Sequence, residues 1–480
     1  MIKTIKKEKY FLLTIFFISF LIRGLVFYFY LSKDKNYWQV DSNTYHKIAE
    51  SIVQGKGISI GEKPQFYRLP GYSIFLSIYY NIFGTDPKNV LWMQIFLASF
   101  IPILIFFLSL VFFPYNFLLA KVSSLYSCFH LGLVLYSSFF MTESLFIFFL
   151  LLFSFLFFSS FHLFFCKIQN KHQFFILKKL FFAGIFLGAA SLVRPVGHYI
   201  VVLSILLLLF SKGILKNKLK KAFVFIIGWL LVVIWWLLRN FLITGCVFFH
   251  TLPGGHFLYL SAARVAMYPQ NCSYWQARRN LSKEVESRRI KKEKLLKRKL
   301  NEIELCYIRE NVAIKYFKQY PFLSIKNWIT DILRTSFSLY SAELVLLDHN
   351  REGINYFKKG RTVLDMFKRY LPPKVSSNFL FIVIFFEILT FLFVFIGFVL
   401  GFIKNIVNFC KFKLKMKPKL KSMFCVWLRI VPLIFLFIIV GLSGGFNRMR
   451  LPVEPFLIIL SFSFWIWILK KKILKVINGV

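Results

Sequence analysis

Acidic side chains are scarce in this chain: 20 Asp and Glu stand against 62 Lys and Arg, and charged residues make up only 17% of its 480 residues. So little charge beside a hydrophobic content of 58% excludes a disordered tail and argues against a water-soluble globule. The seven cysteines are scattered with no Cys-x-x-Cys spacing, so neither a zinc site nor a dithiol redox motif is indicated. No internal repeat and no Gly/Ser linker marks off a soluble domain. The net charge of +42 could suggest a nucleic-acid binder, but most lysines sit in short clusters between apolar runs. Those clusters read as topology signals, and the 64 phenylalanines read as lipid-facing surface, so no nucleic-acid partner is indicated.

What is abundant is apolar sequence. A crossing of the hydrocarbon layer takes about 20 apolar residues. Runs of that length, or nearly so, lie at 10–31, 90–113, 116–138, 142–165, 179–193, 196–211, 222–241, 378–403, 423–443 and 452–470. The prediction is an all-α polytopic membrane protein of roughly ten transmembrane helices. The first run follows Lys3, Lys6, Lys7 and Lys9 as in a signal peptide. It is too long for one and lacks a small-residue cleavage site, so it reads as a retained helix. The runs 179–193 and 196–211 are short and divided by Arg194-Pro195. If both cross, the basic clusters at 1–9, 167–179, 212–221, 404–421 and 470–475 share one side, with Glu8 the only acid among them. That places both ends in the cytoplasm.

Two large loops, 32–89 and 242–377, then fall on the non-cytoplasmic side. The division is an N-terminal membrane module 1–241 that includes the loop 32–89, a large outer loop 242–377, and C-terminal helices 378–480. Residues 276–315 are dense in Lys, Arg and Glu with Leu and Ile at helical spacing, which predicts an amphipathic helix or helical hairpin. Residues 320–346 are amphipathic, and Lys326, Asp331 and Arg334 argue that they lie along the interface. Cys246, Cys272 and Cys306 share the outer loop, where an oxidising compartment would permit a disulfide among them.

The few outer acids and arginines carry the candidate chemistry. Asp41 lies about ten residues beyond the first run. Arg68 stands beside the Pro70-Gly71 turn, where a fixed guanidinium suits phosphate recognition, because its fork of donors matches the oxygens. Glu143 opens the fourth run, with Thr142 as a possible cap. Arg194, Arg239, Arg448 and Arg450 fall at outer helix ends, against the usual preference of arginine for the cytoplasm. A bound anion is the simplest reason for them.

Taken in order, these residues resemble a known family. Asp41-x-x-x-Tyr45, Gly55-Lys56-Gly57, Arg68-Leu-Pro-Gly-Tyr72, Thr142-Glu143-Ser144, Leu192-Val-Arg194-Pro195, Arg239-Asn240 and Asn447-Arg448-Met-Arg450-Leu-Pro452 resemble the dolichyl-phosphate-mannose protein mannosyltransferases. These are membrane glycosyltransferases of the GT-C superfamily, which also holds bacterial enzymes that move aminoarabinose onto lipid A. The resemblance runs from about residue 10 to 470, with 245–377 unmatched. It implies a GT-C fold and an inverting transfer from a polyprenyl-phosphate sugar to a lipid, glycan or protein acceptor on the non-cytoplasmic face. Asp41 would be the general base, Glu143 a second acid of the catalytic pocket, and Arg68, Arg194, Arg239, Arg448 and Arg450 the donor-phosphate clamp. Tyr45, Tyr72 and Asn240 would position substrate. Arginines can meet the leaving phosphate's charge, so the reading requires no divalent metal or other cofactor. The family proper carries an Asp-Glu pair where this chain has Asp41-Ser42, which weighs against a protein acceptor and toward the bacterial branch. A bacterial inner-membrane protein of the cell envelope is the expected setting.

The competing class is a membrane transporter or lipid flippase, which would carry acids near the midplane. Glu387 is the one acid well inside a predicted helix, either as a proton site or as an interior hydrogen-bonding residue.

Overall fold

The computed structural model describes residues 2–162, 170–211, 214–348, 378–411, 434 and 445–477. Among them, seven helical stretches are long and apolar enough to cross a membrane: Glu8–Leu31, Pro87–Phe112, Glu143–Ser160, Gln173–Val193, Leu215–Thr244, Phe379–Val407 and Asn447–Lys471. An eighth arises if the bent pair Phe117–Phe129 and Leu131–Ser138 is one span. Its 51° bend falls at His130, whose ring Nδ1 accepts from Leu133 N at 3.3 Å and so caps the second half. The expectation of roughly ten therefore stands at seven or eight among the described residues. Val196–Leu209, at 14 residues, is shorter than these spans and is not counted among them, and the run at 423–443 lies outside the described residues apart from the single residue 434.

The run expected to be short at 179–193 belongs to a longer helix, Asn170–Val193. Helical hydrogen bonding does not stop where apolarity does, so the turns around Lys178 and Lys179 extend it. It ends at Arg194-Pro195 as the sequence requires, because proline cannot donate to the turn before it. Against it lies Leu215–Thr244. A methyl added at Gly184 would meet the carbonyl oxygen of Phe225, one at Gly228 the carbonyl oxygen of Phe181, and one at Gly188 would stand 2.8 Å from Val232. In lipid there is no hydrophobic drive between helices, so backbones at contact distance hold the pair together. Phe153 and Phe157 of the neighbouring helix close over it, with centroids 6.2 and 5.6 Å from the Phe225 ring. Other phenylalanines face outward, as on Phe379–Val407, where Phe379, Phe381, Phe385 and Phe386 are more than half exposed.

The first loop folds as a helix Ser42–Val53, a two-residue hairpin of Ser59–Ile60 and Lys63–Pro64, and a helix Gly71–Phe83. In the second, Tyr274–Leu296 and Glu302–Gln319 form the expected hairpin. Leu258, Ala277, Leu281, Val312 and Ala313 give it a small core of its own. Pro321–Phe337 follows. Its Asp331, read from sequence as an interfacial marker, is instead fully buried in a bidentate pair with Arg264, one arm at 2.7 Å. That pair pins the helix to the turn Ala263–Ala266, which packs into the hairpin's core. Cys246, Cys272 and Cys306 are all free thiols, so the disulfide left open among them is absent.

Gly228→Leu should lower the thermal unfolding temperature in detergent, because overpacking at a contact of this kind costs about 1–3 kcal/mol or more. Phe381→Leu, on the exposed face, should leave it nearly unchanged. Equal effects of the two would remove the close helix contact from the account.

Candidate functional site

Asp41 stands immediately before the helix Ser42–Val53, and main-chain ties fix where it points. Ser42 Oγ donates to the Phe140 carbonyl at 2.8 Å and accepts from Gln39 N at 2.9 Å, while Phe140 N donates to the Tyr37 carbonyl at 2.9 Å. Residues 37–42 are thereby laced to the segment that leads into Glu143–His162. That segment is held from beneath by Gln94, whose Nε2 donates to the carbonyls of Ser137 and Phe139 at 2.9 and 2.7 Å. Tyr72 OH donates to Gln94 Oε1 at 2.9 Å. One turn is tighter still: a methyl at Gly71 would lie 2.7 Å from the main chain of Leu192. Only glycine lets the Pro70-Gly71 turn, with Arg68 beside it, seat against the residues that precede Arg194.

Six of the sequence candidates meet there: Asp41, Tyr45, Arg68, Glu143, Arg194 and, from the far end of the chain, Arg448. Arg68 Nη2 lies 2.5 Å from Asp41 Oδ1, and Arg448 Nη1 lies 3.3 Å from Asp41 Oδ2. Arg194 Nη1 lies 2.8 Å from Glu143 Oε1, and its Nη2 approaches Met449 Sδ at 3.4 Å. Tyr45 is within electrostatic reach of Arg68, Asp41, Glu143 and Arg194. Its ring and that of Tyr67 flank the Arg68 guanidinium at 5.4 and 5.0 Å, which stiffens it. Burial pushes the Asp41 carboxyl up, but Arg448 and Arg68 outweigh it and hold the group below the usual carboxylate range. Three guanidiniums face these two carboxylates, and a third carboxyl, Glu343, stands within electrostatic reach of Arg448.

The remaining candidates have other partners. Arg239 donates to the main-chain carbonyls of Gln65 and Ile58 at 3.1 and 2.8 Å and to Asn240 Oδ1 at 2.9 Å. Asn240 Nδ2 donates to the Phe248 carbonyl at 3.0 Å. Arg239 and Asn240, read from sequence as phosphate-binding and substrate-positioning, therefore brace the two strands of chain that border the site. Arg450, also read as part of the clamp, is buried with its Nε 2.5 Å from Glu454 Oε1 and its Nη1 on the carbonyls of Thr335 and Ser336. Tyr72, read as substrate-positioning, is fully enclosed with its OH on Gln94 Oε1. Glu387 accepts from the main-chain N–H groups of Tyr340 and Ser341 at 2.5 and 2.8 Å, so it acts as the interior hydrogen-bonding residue.

Several neighbours escaped the sequence reading. Glu343 accepts from Tyr136 OH at 3.1 Å within electrostatic reach of Arg448 and Glu143, and burial pushes its carboxyl up. Its only sequence signal was its rarity as an acid. His198, His250 and His256 border the arginines, and no motif spacing connects them. Among the described residues no group of three or more His, Cys, Asp or Glu is placed to hold a metal ion.

No protein-family model and no curated protein matches this chain. Solved structures do. The oligosaccharyltransferase of Archaeoglobus fulgidus in its apo form is 12% identical, with 98% of this chain and 52% of that chain covered at a TM-score of 0.52. The same archaeal enzyme, AglB, in complex with an inhibitory peptide and a dolichol-phosphate, gives 13%, 98%, 52% and 0.51. ArnT from Cupriavidus metallidurans bound to undecaprenyl phosphate is 12% identical over 95% of this chain and 78% of that chain, at a TM-score of 0.35. The chain spans about half the length of the oligosaccharyltransferase structures it matches. It is an integral, multi-pass membrane protein with a GT-C fold.

Proposed function

We propose that this protein is a glycosyltransferase that moves a sugar from a polyprenyl-phosphate-linked donor to an acceptor on the non-cytoplasmic face of the membrane, with inversion at C1. The observation that carries this reading is Asp41 held between Arg68 and Arg448 beside the Arg194–Glu143 pair. A cluster of three arginines around a carboxylate, in a fold shared with an oligosaccharyltransferase, fits a phosphate-bearing donor and a hydroxyl acceptor. Arg68, Arg194 and Arg448 form the clamp in this reading, with Tyr45 at its wall. The setting proposed for it is a bacterial inner membrane, with residues 32–89 and 242–377 outside.

Asp41 without donor is a poor base, since two guanidiniums stabilise its ionised form. A donor phosphate competes for the same forks. As Arg68 and Arg448 turn toward its oxygens, Asp41 loses its counter-charges and its proton affinity rises. The acceptor hydroxyl then gives its proton to Asp41 as its oxygen bonds to C1. The bond from C1 to the phosphate oxygen breaks, and the polyprenyl phosphate leaves with its charge met by the arginines. Donor binding thus arms the base.

The deciding experiment incubates purified protein in lipid with a panel of polyprenyl-phosphate sugars and measures release of free polyprenyl phosphate. Asp41→Asn should lower turnover by about 10²–10⁴-fold with expression and donor binding near wild type. Full activity of that variant toward a hydroxyl acceptor would dismiss Asp41 as the base.

Lysine keeps the charge but loses the fork. Arg68→Lys, Arg194→Lys and Arg448→Lys should therefore weaken donor binding while the fold persists. Arg450→Met should instead cost stability, by about 3–5 kcal/mol for an uncompensated buried charge. If the first three leave donor affinity unchanged, the clamp is misassigned.

Cysteine accessibility should place 32–89 outside and 216–221 in the cytoplasm. Labelling of both from the same side would rule out the proposed orientation.

A further inference from the structure

Beside the arginines lies a group of side chains that the proposed chemistry does not use. His198 follows Arg194 by four residues, and its ring lies 3.7 Å from that of Phe249, nearly parallel at 28°. His250 lies next along, 6.1 Å from His198 at 22°. Both ring nitrogens of His198 and Nδ1 of His250 are enclosed with no hydrogen-bond partner among the described residues. Leaving such groups unpaired is costly, and the fold nevertheless fixes them there. Thr251 N donates to the Phe66 carbonyl at 3.0 Å, Trp236 Nε1 to the Phe249 carbonyl at 2.7 Å, and Asn240 Nδ2 to the Phe248 carbonyl at 3.0 Å. The ties continue to Gly255, where a methyl would lie 3.5 Å from the Tyr67 ring, the ring that flanks Arg68. His256 follows, within electrostatic reach of Arg68, Arg448 and Asp41.

We infer that His198 and His250, with Phe249 beside them and His256 at the arginine end, form the subsite that receives the hydroxyl groups of the transferred sugar. This rests on the donor reading above. A neutral imidazole offers one donor and one acceptor, the same pair that a hydroxyl offers, so unpaired rings in a row match a polyol. Burial, reinforced by neighbouring His256 and Arg68 in one case and by Arg68 and Arg448 in the other, holds His250 and His256 at about 4. Both are therefore neutral at pH 7, and phosphate recognition is left to the guanidiniums. The division of labour is spatial: charge is met at Arg68, Arg194 and Arg448, and hydroxyls are met at His198 and along 249–256.

The test titrates the full chain in nanodiscs with undecaprenyl phosphate and, separately, with undecaprenyl-phosphate glucose, mannose, galactose and N-acetylglucosamine. At least one sugar-bearing lipid should bind wild type more tightly than the bare lipid phosphate. His198→Ala and His250→Ala should each reduce that advantage by about threefold to tenfold, the worth of one hydrogen bond. Affinity for undecaprenyl phosphate should stay within about twofold. His250→Gln, which keeps a donor and an acceptor, should recover part of the loss. A merely structural role would weaken both ligands together, and that result, or no change in either, overturns the subsite. Wild type that binds undecaprenyl phosphate but no sugar-bearing lipid more tightly overturns the subsite and leaves the clamp standing. Failure of wild type to bind undecaprenyl phosphate at all overturns the donor reading and the subsite with it.

Discussion

The carboxylate of Asp41 is gripped by two guanidiniums from distant parts of the chain, Arg68 at a separation of 27 residues and Arg448 at a separation of 407. Everything else near the site serves to bring those three groups together at the end of a helix bundle. The ion pairs are not strong sources of stability. Charges taken partly out of water forfeit hydration that their mutual attraction barely returns. Their consequence is geometric: the first loop and the start of the last described helix cannot drift apart without exposing an unpaired charge. In the proposed reading, the arginines are gathered before any ligand arrives and need only exchange a carboxylate for a phosphate.

That preorganisation depends on uncharged groups behind the charges. Gln94 spans three partners, Tyr72 fills one of its positions, and Ser42 joins two loops, so the main chain near Asp41 and Glu143 is fixed by ordinary hydrogen bonds. Arg239 does comparable work with charge. Its donors collect carbonyls from Ile58 and Gln65, and its face rests on Phe66 and Trp236, each 4.8 Å away. A guanidinium that satisfies two carbonyls where the chain lacks regular structure replaces the ladder that a sheet would supply.

Much of this was legible in the sequence. Hydrophobic runs gave most of the membrane helices, since about 20 apolar residues have few other uses. Helical spacing over 276–315 left a single helix or a hairpin open, and the chain forms the hairpin Tyr274–Leu296 and Glu302–Gln319. Rarity marked Asp41 and Glu143, because an acid in so basic a chain stands out. The helix start before Gln173 was hidden by its polar turns, and the burial of Asp331 was hidden because its partner Arg264 lies 67 residues away. The histidines were invisible for the same reason. His198 and His250 meet only after the helices 170–193 and 215–244 have packed, and no local spacing reports that contact.

The two arginines near the end of the chain show the limit most clearly. Arg448 and Arg450 stand two residues apart in one short motif, and sequence alone assigned them one role. The turn they occupy is helical, Asn447–Arg450. At 3.6 residues per turn, side chains two positions apart point about 200° from each other. One must therefore face the cluster if the other faces the scaffold. Arg448 reaches Asp41, while Arg450 turns back to Glu454, one helical turn onward, and to the carbonyls that end Pro321–Phe337. The same geometry gives Asn447 to Tyr136 and to the Leu339 carbonyl. A single turn thus fastens the last described helix to the end of Pro321–Phe337 with one arginine and presents the other to the acid. Register, which composition cannot report, decides which arginine does which.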